Sequence, residues 1–415
     1  MASHTPTQGQ VIQDLRRPTL KTVEHPPVKT APDMKAFLSL GFRPLYIAGC
    51  GWALLSIAIW IFAPELIRQP MWGVAWHAHE MLWGFIATIA VAFLLTASAN
   101  WTGFNPLKGA GLAAICVLWV IARIGYLAGG EIAFHVALCA ETLFFLVSAL
   151  CVLRVVLKGK SRRNLGLPLL MLGLGAANFL YALAAQQNDY PQLMQHFNQG
   201  LLCMAVIALL IARRVIPFFS MRMVPGLEIP MLTRSGHWQM GLGVLAILSS
   251  LLGLGIPMAV TLAATALLSL YQLYCWKPLA VLRKPMLWIL YLGYAAMAIG
   301  LLFAAAQAAG LSSGTLARSA VHVHIVGMGG FAILIIGMVT RTALGHLGRP
   351  LKLDRSMLAS YYLMAAAVVL RLAALAPTEA SLALLQAAAL AWIACMALYL
   401  WRFVPMLIRP RPDGK

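Results

Sequence analysis

Twelve runs of about twenty mostly apolar residues follow one another between Leu45 and Val404, centred on Leu55, Thr88, Leu118, Phe144, Leu174, Ile207, Leu245, Ala264, Ile299, Phe331, Ala366 and Ile393. No other feature constrains the chain as strongly, because about 20 such residues are what a helix needs to cross the hydrocarbon core of a bilayer. Only 10% of the residues are charged, against about 25% in soluble domains, so a water-facing surface for a fold of this size is missing. Lipid offers the backbone no hydrogen-bond partners, and each run must satisfy its own amide groups as a helix. The expected fold is therefore an all-α polytopic membrane protein of twelve transmembrane helices over residues 45–404. A tail over 1–44, rich in Pro, Thr and charge, reads as disordered, no cleavable signal peptide precedes the first run, and residues 405–415 form a short basic tail.

The chain carries 31 Lys and Arg against 12 Asp and Glu, a formal net charge of +19. Such a balance suits nucleic acid or anionic lipid, and the placement of the charges decides for membrane lipids and against nucleic acid. With the N-terminus inside, the two tails and the inward loops hold 27 of the 31 basic residues, leaving Arg68, Arg123, Arg318 and Arg371 on the outer face. Positive loops are retained in the cytoplasm, so both termini are expected there.

Seven cysteines are scattered through apolar runs without a CxxC pair, which argues against a disulfide framework or an iron–sulfur cluster. The absence of CxxCH excludes covalently attached haem. No P-loop, HExxH or nucleophile with an adjacent base appears, so no catalytic residue is assigned.

The chemistry rests with the histidines. His4 and His25 lie in the tail and His237 and His346 at the cytoplasmic edge. His77 and His79 open the second run, His135 the fourth, His196 the sixth, and His322 and His324 the tenth, all on the outward side. Neutral imidazole is a common ligand for copper and for haem iron, and polar groups at membrane depth are functional candidates by default. Residues i and i+2 of a helix point about 200° apart, so the two histidines of each HxH cannot grip one metal from one face. Either one of each pair is not a ligand, or the helix stands between two sites. His196 lies 119 residues after His77 and 126 before His322, and His196-Phe-Asn198 stands where the second and tenth runs have HxH. Gly84 and Gly329 both lie seven residues beyond the first histidine of their pairs, and Gly103 and Gly348 both lie 26 beyond. This spacing suggests three quasi-equivalent four-helix units.

Other residues are candidate helpers. Glu80, one turn from His77, could orient that ring's free nitrogen. Arg68, Arg123 and Arg318 are candidate partners for haem propionates, Met81 and Met328 for copper(I), and Trp76, Trp83 and Trp101 for an interfacial belt or a porphyrin wall. Arg213, Arg214, Arg341, His346 and Arg349 belong to the inner face, where anionic lipid is the expected partner.

Four ordered segments carry a family resemblance: Trp76-His-Ala-His-Glu-Met-Leu-Trp-Gly-Phe85, Ala99-Asn-Trp-Thr-Gly103, Arg213-Arg-Val-Ile-Pro-Phe-Phe219 and Met338-Val-Thr-Arg-Thr-Ala-Leu-Gly-His-Leu-Gly-Arg-Pro-Leu351. From about Phe42 to Arg402 the chain resembles the NnrS family. The resemblance implies a bacterial inner-membrane protein of twelve spans that carries haem and copper and is linked to nitric oxide and nitrosative stress. It assigns no ligands.

In architecture the chain is also similar to the catalytic subunit of haem–copper oxidases and nitric oxide reductases. That likeness implies His324 paired with His77 or His79 at a low-spin haem, and His322 at a second haem or metal. It fails at the seventh run, which lacks the adjacent histidines for a binuclear centre, leaving only His135 and His196 as substitutes. The reading is a haem protein, b-type and non-covalent, with copper as a second candidate cofactor. It would act on nitric oxide or a related small molecule, with quinol or another electron donor. The alternatives are a secondary transporter and a haem or copper sensor or assembly factor without turnover.

Overall fold

Each apolar run forms a helix, and the computed structural model describes residues 31–413 as twelve long helices with no strand among the described residues. The tail residues 1–30, with His4 and His25, and residues 414–415 lie outside the described residues. In chain order the helices are α1 (Phe42–Phe62), α2 (Gly73–Thr102), α3 (Ala110–Ala128), α4 (Glu131–Lys158), α5 (Gly166–Gln186), α6 (Tyr190–Met223), α7 (Thr233–Leu251), α8 (Gly255–Cys275), α9 (Pro285–Ala308), α10 (Ser319–His346), α11 (Arg355–Ala373) and α12 (Ser381–Leu407). All but α7 meet the length and hydropathy needed to cross a bilayer. The chain is an all-α polytopic membrane protein.

Successive helices other than α2 and α3 pack side by side, α2 lies against α4 instead, and α12 returns to α1 to complete the ring. The Asp33 amide donates to the Ile408 carbonyl, and the buried Arg43 guanidinium caps α12 by donating to the carbonyls of Leu407 (2.9 Å) and Arg409 (2.7 Å). The first and last described helices thus begin and end on one side of the bundle. Inside the ring stand α2, α6 and α10, whose apolar windows are 89%, 72% and 67% buried, against 28–56% for the other spans. The three helices opened by a polar pair at i, i+2 are therefore the three innermost.

Helices α2 and α10 share a further anatomy. In each, the His-x-His turn is followed by an eight-residue π-helical stretch, Glu80–Ala87 and Ile325–Ala332, and the two stretches pack against each other. The wider turn has a local cause. In α2 the Thr88 hydroxyl donates to the Trp83 carbonyl five residues back and accepts the Trp119 indole N–H; in α10 Gly327, Gly329 and Gly330 leave the stretch without side chains at three positions. The glycines 26 residues on, Gly103 and Gly348, both adopt positive φ (77° and 64°) and end their helices. In contrast, α6 runs unbroken through Pro217 and has no π stretch.

Arg213, Arg214 and Arg341, expected to meet anionic lipid, make contacts within the protein. Arg213 donates to the Met231 carbonyl, Arg214 to Asn164 and the Arg163 carbonyl, and Arg341 reaches the Met223 sulfur while covering the Phe219 ring at 3.8 Å. Arg213 and Arg341 are buried. Arg213 thereby satisfies a loop carbonyl, while Arg341 packs on a thioether and an aromatic face.

Candidate functional site

The 200° between residues two apart on a helix sends the histidines of α2 and α10 to different places. His77 and His324 both line one cavity of about 210 Å³ between α1, α2, α6, α10 and α12. Their ring centroids are 6.5 Å apart with planes inclined by 19°. The His324 Nδ1 lies 2.7 Å from the Ala320 carbonyl, an acceptor only, so Nδ1 carries the proton and Nε2 keeps its lone pair. Trp60 stacks on His77 at 5.1 Å, and the His77 Nδ1 is enclosed without a hydrogen-bond partner. Met81, Met194 and Met328 line the same chamber, and Arg371 of α11 brings the one guanidinium to its wall.

His79 is turned the other way and is fully buried. Its Nδ1 lies 2.8 Å from Glu80 Oε1, and its Nε2 lies 2.9 Å from Asn178 Oδ1 and 3.0 Å from Glu141 Oε2. Arg123 reaches between the two carboxylates and pairs with both, while the Trp52 indole N–H also donates to Glu80. Two carboxylates, a guanidinium and an imidazole from α2, α3 and α4 thus share one buried site. Gly84 makes it possible: a Cβ there would lie 2.5 Å from the Arg123 Nη1 and 2.6 Å from the Glu80 Oε2.

This cluster corrects three expectations. Glu80 orients His79 rather than His77. His79 has both ring nitrogens engaged and none free for a metal. Arg123 has both terminal nitrogens committed to carboxylates, so it is not placed for a propionate.

The remaining histidines are separate. His322 is buried and faces a second cavity of about 150 Å³ on the other side of α10. His135 is exposed, with its Nδ1 on the Glu131 carbonyl, and His196 meets Gln199 at 3.0 Å; neither lines either cavity. Arg68 and Arg318 are exposed, and Arg318 donates to the Leu375 carbonyl. His77, His79, His135, His196, His322 and His324 therefore do not all assemble, and among the described residues no group of three or more His, Cys, Asp or Glu could hold a metal. Sequence reasoning passed over Trp60 and Asn178 and gave Arg371 no role beyond its place among the four arginines away from the basic loops; their positions come from contacts with distant helices.

The family model described as NnrS protein matches residues 36–411, and the chain belongs to that family. At the level of the family, this links it to the response to nitric oxide. No curated protein is similar enough to match it.

Proposed function

We propose that this chain is a haem protein of the bacterial inner membrane that handles nitric oxide, with the cofactor held in the α1–α2–α6–α10–α12 chamber between His77 and His324. The observation that carries this reading is the pair of imidazoles across an apolar cavity, 6.5 Å between centroids. Two imidazoles bonded to one metal at about 2 Å through their near nitrogens have centroids about 6 Å apart. A closed protein-only metal site needs three or four ligands, whereas a haem needs only one or two from the protein. The donor set fits the second case. The chamber's volume of about 210 Å³ is below the roughly 300 Å³ at which sites for larger ligands begin, so loading requires Met81, Met194 and Met328 to swing aside, as unbranched thioether side chains can.

Bound there, a haem would supply an iron that takes uncharged diatomic ligands. The protein's own residues do the rest. His324 is oriented by the Ala320 carbonyl and is the anchored ligand; His77, held by stacking on Trp60 without a hydrogen bond at Nδ1, is the one less firmly fixed. Arg371 offers a positive charge to a carboxylate at the chamber wall, and replaces Arg123 and Arg318 in that role. The apolar lining excludes ions and admits a small apolar gas from the lipid. Met81 and Met328, soft donors beside the two histidines, make copper(I) the competing occupant.

A transporter is the second reading, favoured by one specific observation. Helices interrupted at matching positions, beside a buried charge cluster, are how transporters build midplane sites, and α2 and α10 are interrupted alike beside Glu80, Arg123 and Glu141. Optical spectra of the purified protein, oxidised and reduced, together with metal analysis decide between them. A shift on reduction with iron in the preparation supports the haem reading; a colourless, metal-free and well-folded protein overturns it.

A further inference from the structure

The His322 cavity is a built site on the far side of α10 from the first chamber. His322 is only 7% exposed, and its imidazole has no hydrogen-bond partner among the described residues. An imidazole with no partner in the protein, bordering a largely apolar cavity, points to an occupant. Asn198 of α6 lines the same space, and its Oδ1 is enclosed and unpartnered. Gln307 of α9 and Ser319 of α10 complete the polar wall, with the Gln307 amide nitrogen committed to the Ala317 carbonyl and the Ser319 hydroxyl. That leaves the Gln307 carbonyl oxygen as an acceptor. Leu202, Leu262 and Leu301 close the cavity with apolar surface.

We propose that this cavity binds a small uncharged solute that both donates and accepts hydrogen bonds, and that it adjoins the first chamber at Ser319. Four polar side chains without a formal charge on neutral His322 suit such a molecule and give an anion or a metal cation no counter-charge. The volume, about 150 Å³, has room for several waters or one solute of a few heavy atoms. Ser319 and Leu201 line both cavities, so a polar molecule held by His322 stands next to whatever occupies the space between His77 and His324. The inference is independent of what that occupant is.

The test is saturation-transfer NMR on the full-length protein in detergent, with formamide as probe. The expected result is saturable transfer to the formyl proton. Asn198→Leu, which removes one polar wall group, weakens binding about tenfold, the scale of one lost hydrogen bond, and Ala304→Leu, which fills the cavity without touching a polar group, weakens it at least as much by excluding the probe. His322→Phe abolishes it, and the other two variants decide the matter if that protein does not fold. A wild-type cavity holding water alone, seen as no saturable transfer, overturns the proposal. So does transfer that persists at full strength in both Asn198→Leu and Ala304→Leu.

Discussion

His77 and His324 face each other across one chamber although they hold unlike places in matching motifs, the first histidine of one HxH and the second of the other. Their motif partners, His79 and His322, look away into separate surroundings. The 200° rule for residues two apart is obeyed on both helices, and it divides four histidines into one facing pair and two singletons.

Substitution at these four positions should therefore separate them. If the chamber binds haem as proposed, His77→Ala and His324→Ala are expected to alter its optical spectrum, with the greater loss of haem in His324→Ala because its ring is the one oriented by a backbone carbonyl. His322→Ala should keep the spectrum. An unchanged spectrum in the His77/His324 double substitution would sink the chamber as the haem site.

The Glu80–Arg123–Glu141–His79 cluster should be fragile to single changes. Taking one partner from a buried ion pair leaves an uncompensated charge and costs about 3–5 kcal/mol. Arg123→Leu is expected to lower the thermal unfolding midpoint strongly, and replacing both carboxylates as well, with Glu80→Gln and Glu141→Gln, to recover part of the loss. Additive losses in the triple variant would contradict the pairing seen between Arg123 and its two carboxylates.

Gly84 and Gly327 both sit in π stretches, yet they should respond differently to alanine. A Cβ at Gly84 would press on Arg123 and Glu80, while one at Gly327 meets nothing within 4 Å. Gly84→Ala should destabilise by about 1–3 kcal/mol, as overpacking does. Gly327→Ala should be close to neutral or slightly stabilising, since alanine restricts the unfolded chain. Equal melting temperatures for the two variants would contradict this account of Gly84.

The basic loops predict the orientation. Reporter fusions after Lys160 and Arg283 are expected to report the cytoplasm, in keeping with the basic residues gathered on that side. A periplasmic report from both would invert the placement of the chamber.

The apolar runs located the helices: all twelve predicted centres fall within the twelve long helices, and for the eleven apolar enough to cross a bilayer lipid leaves the backbone no other solution. The every-fourth polar pair and the matched glycines also carried real structure, since α2, α6 and α10 are the inner helices and Gly103 and Gly348 end theirs alike. Which histidine meets which was decided only in three dimensions. The π stretches and the choice of Glu80 for His79 depend on Thr88, Trp119, Arg123, Glu141 and Asn178, residues that spacing along the chain does not bring near His79. A periodic pattern specifies which face of a helix is apolar; the partner of a buried charge is specified by whichever distant helix packs there, and that is a property of the bundle.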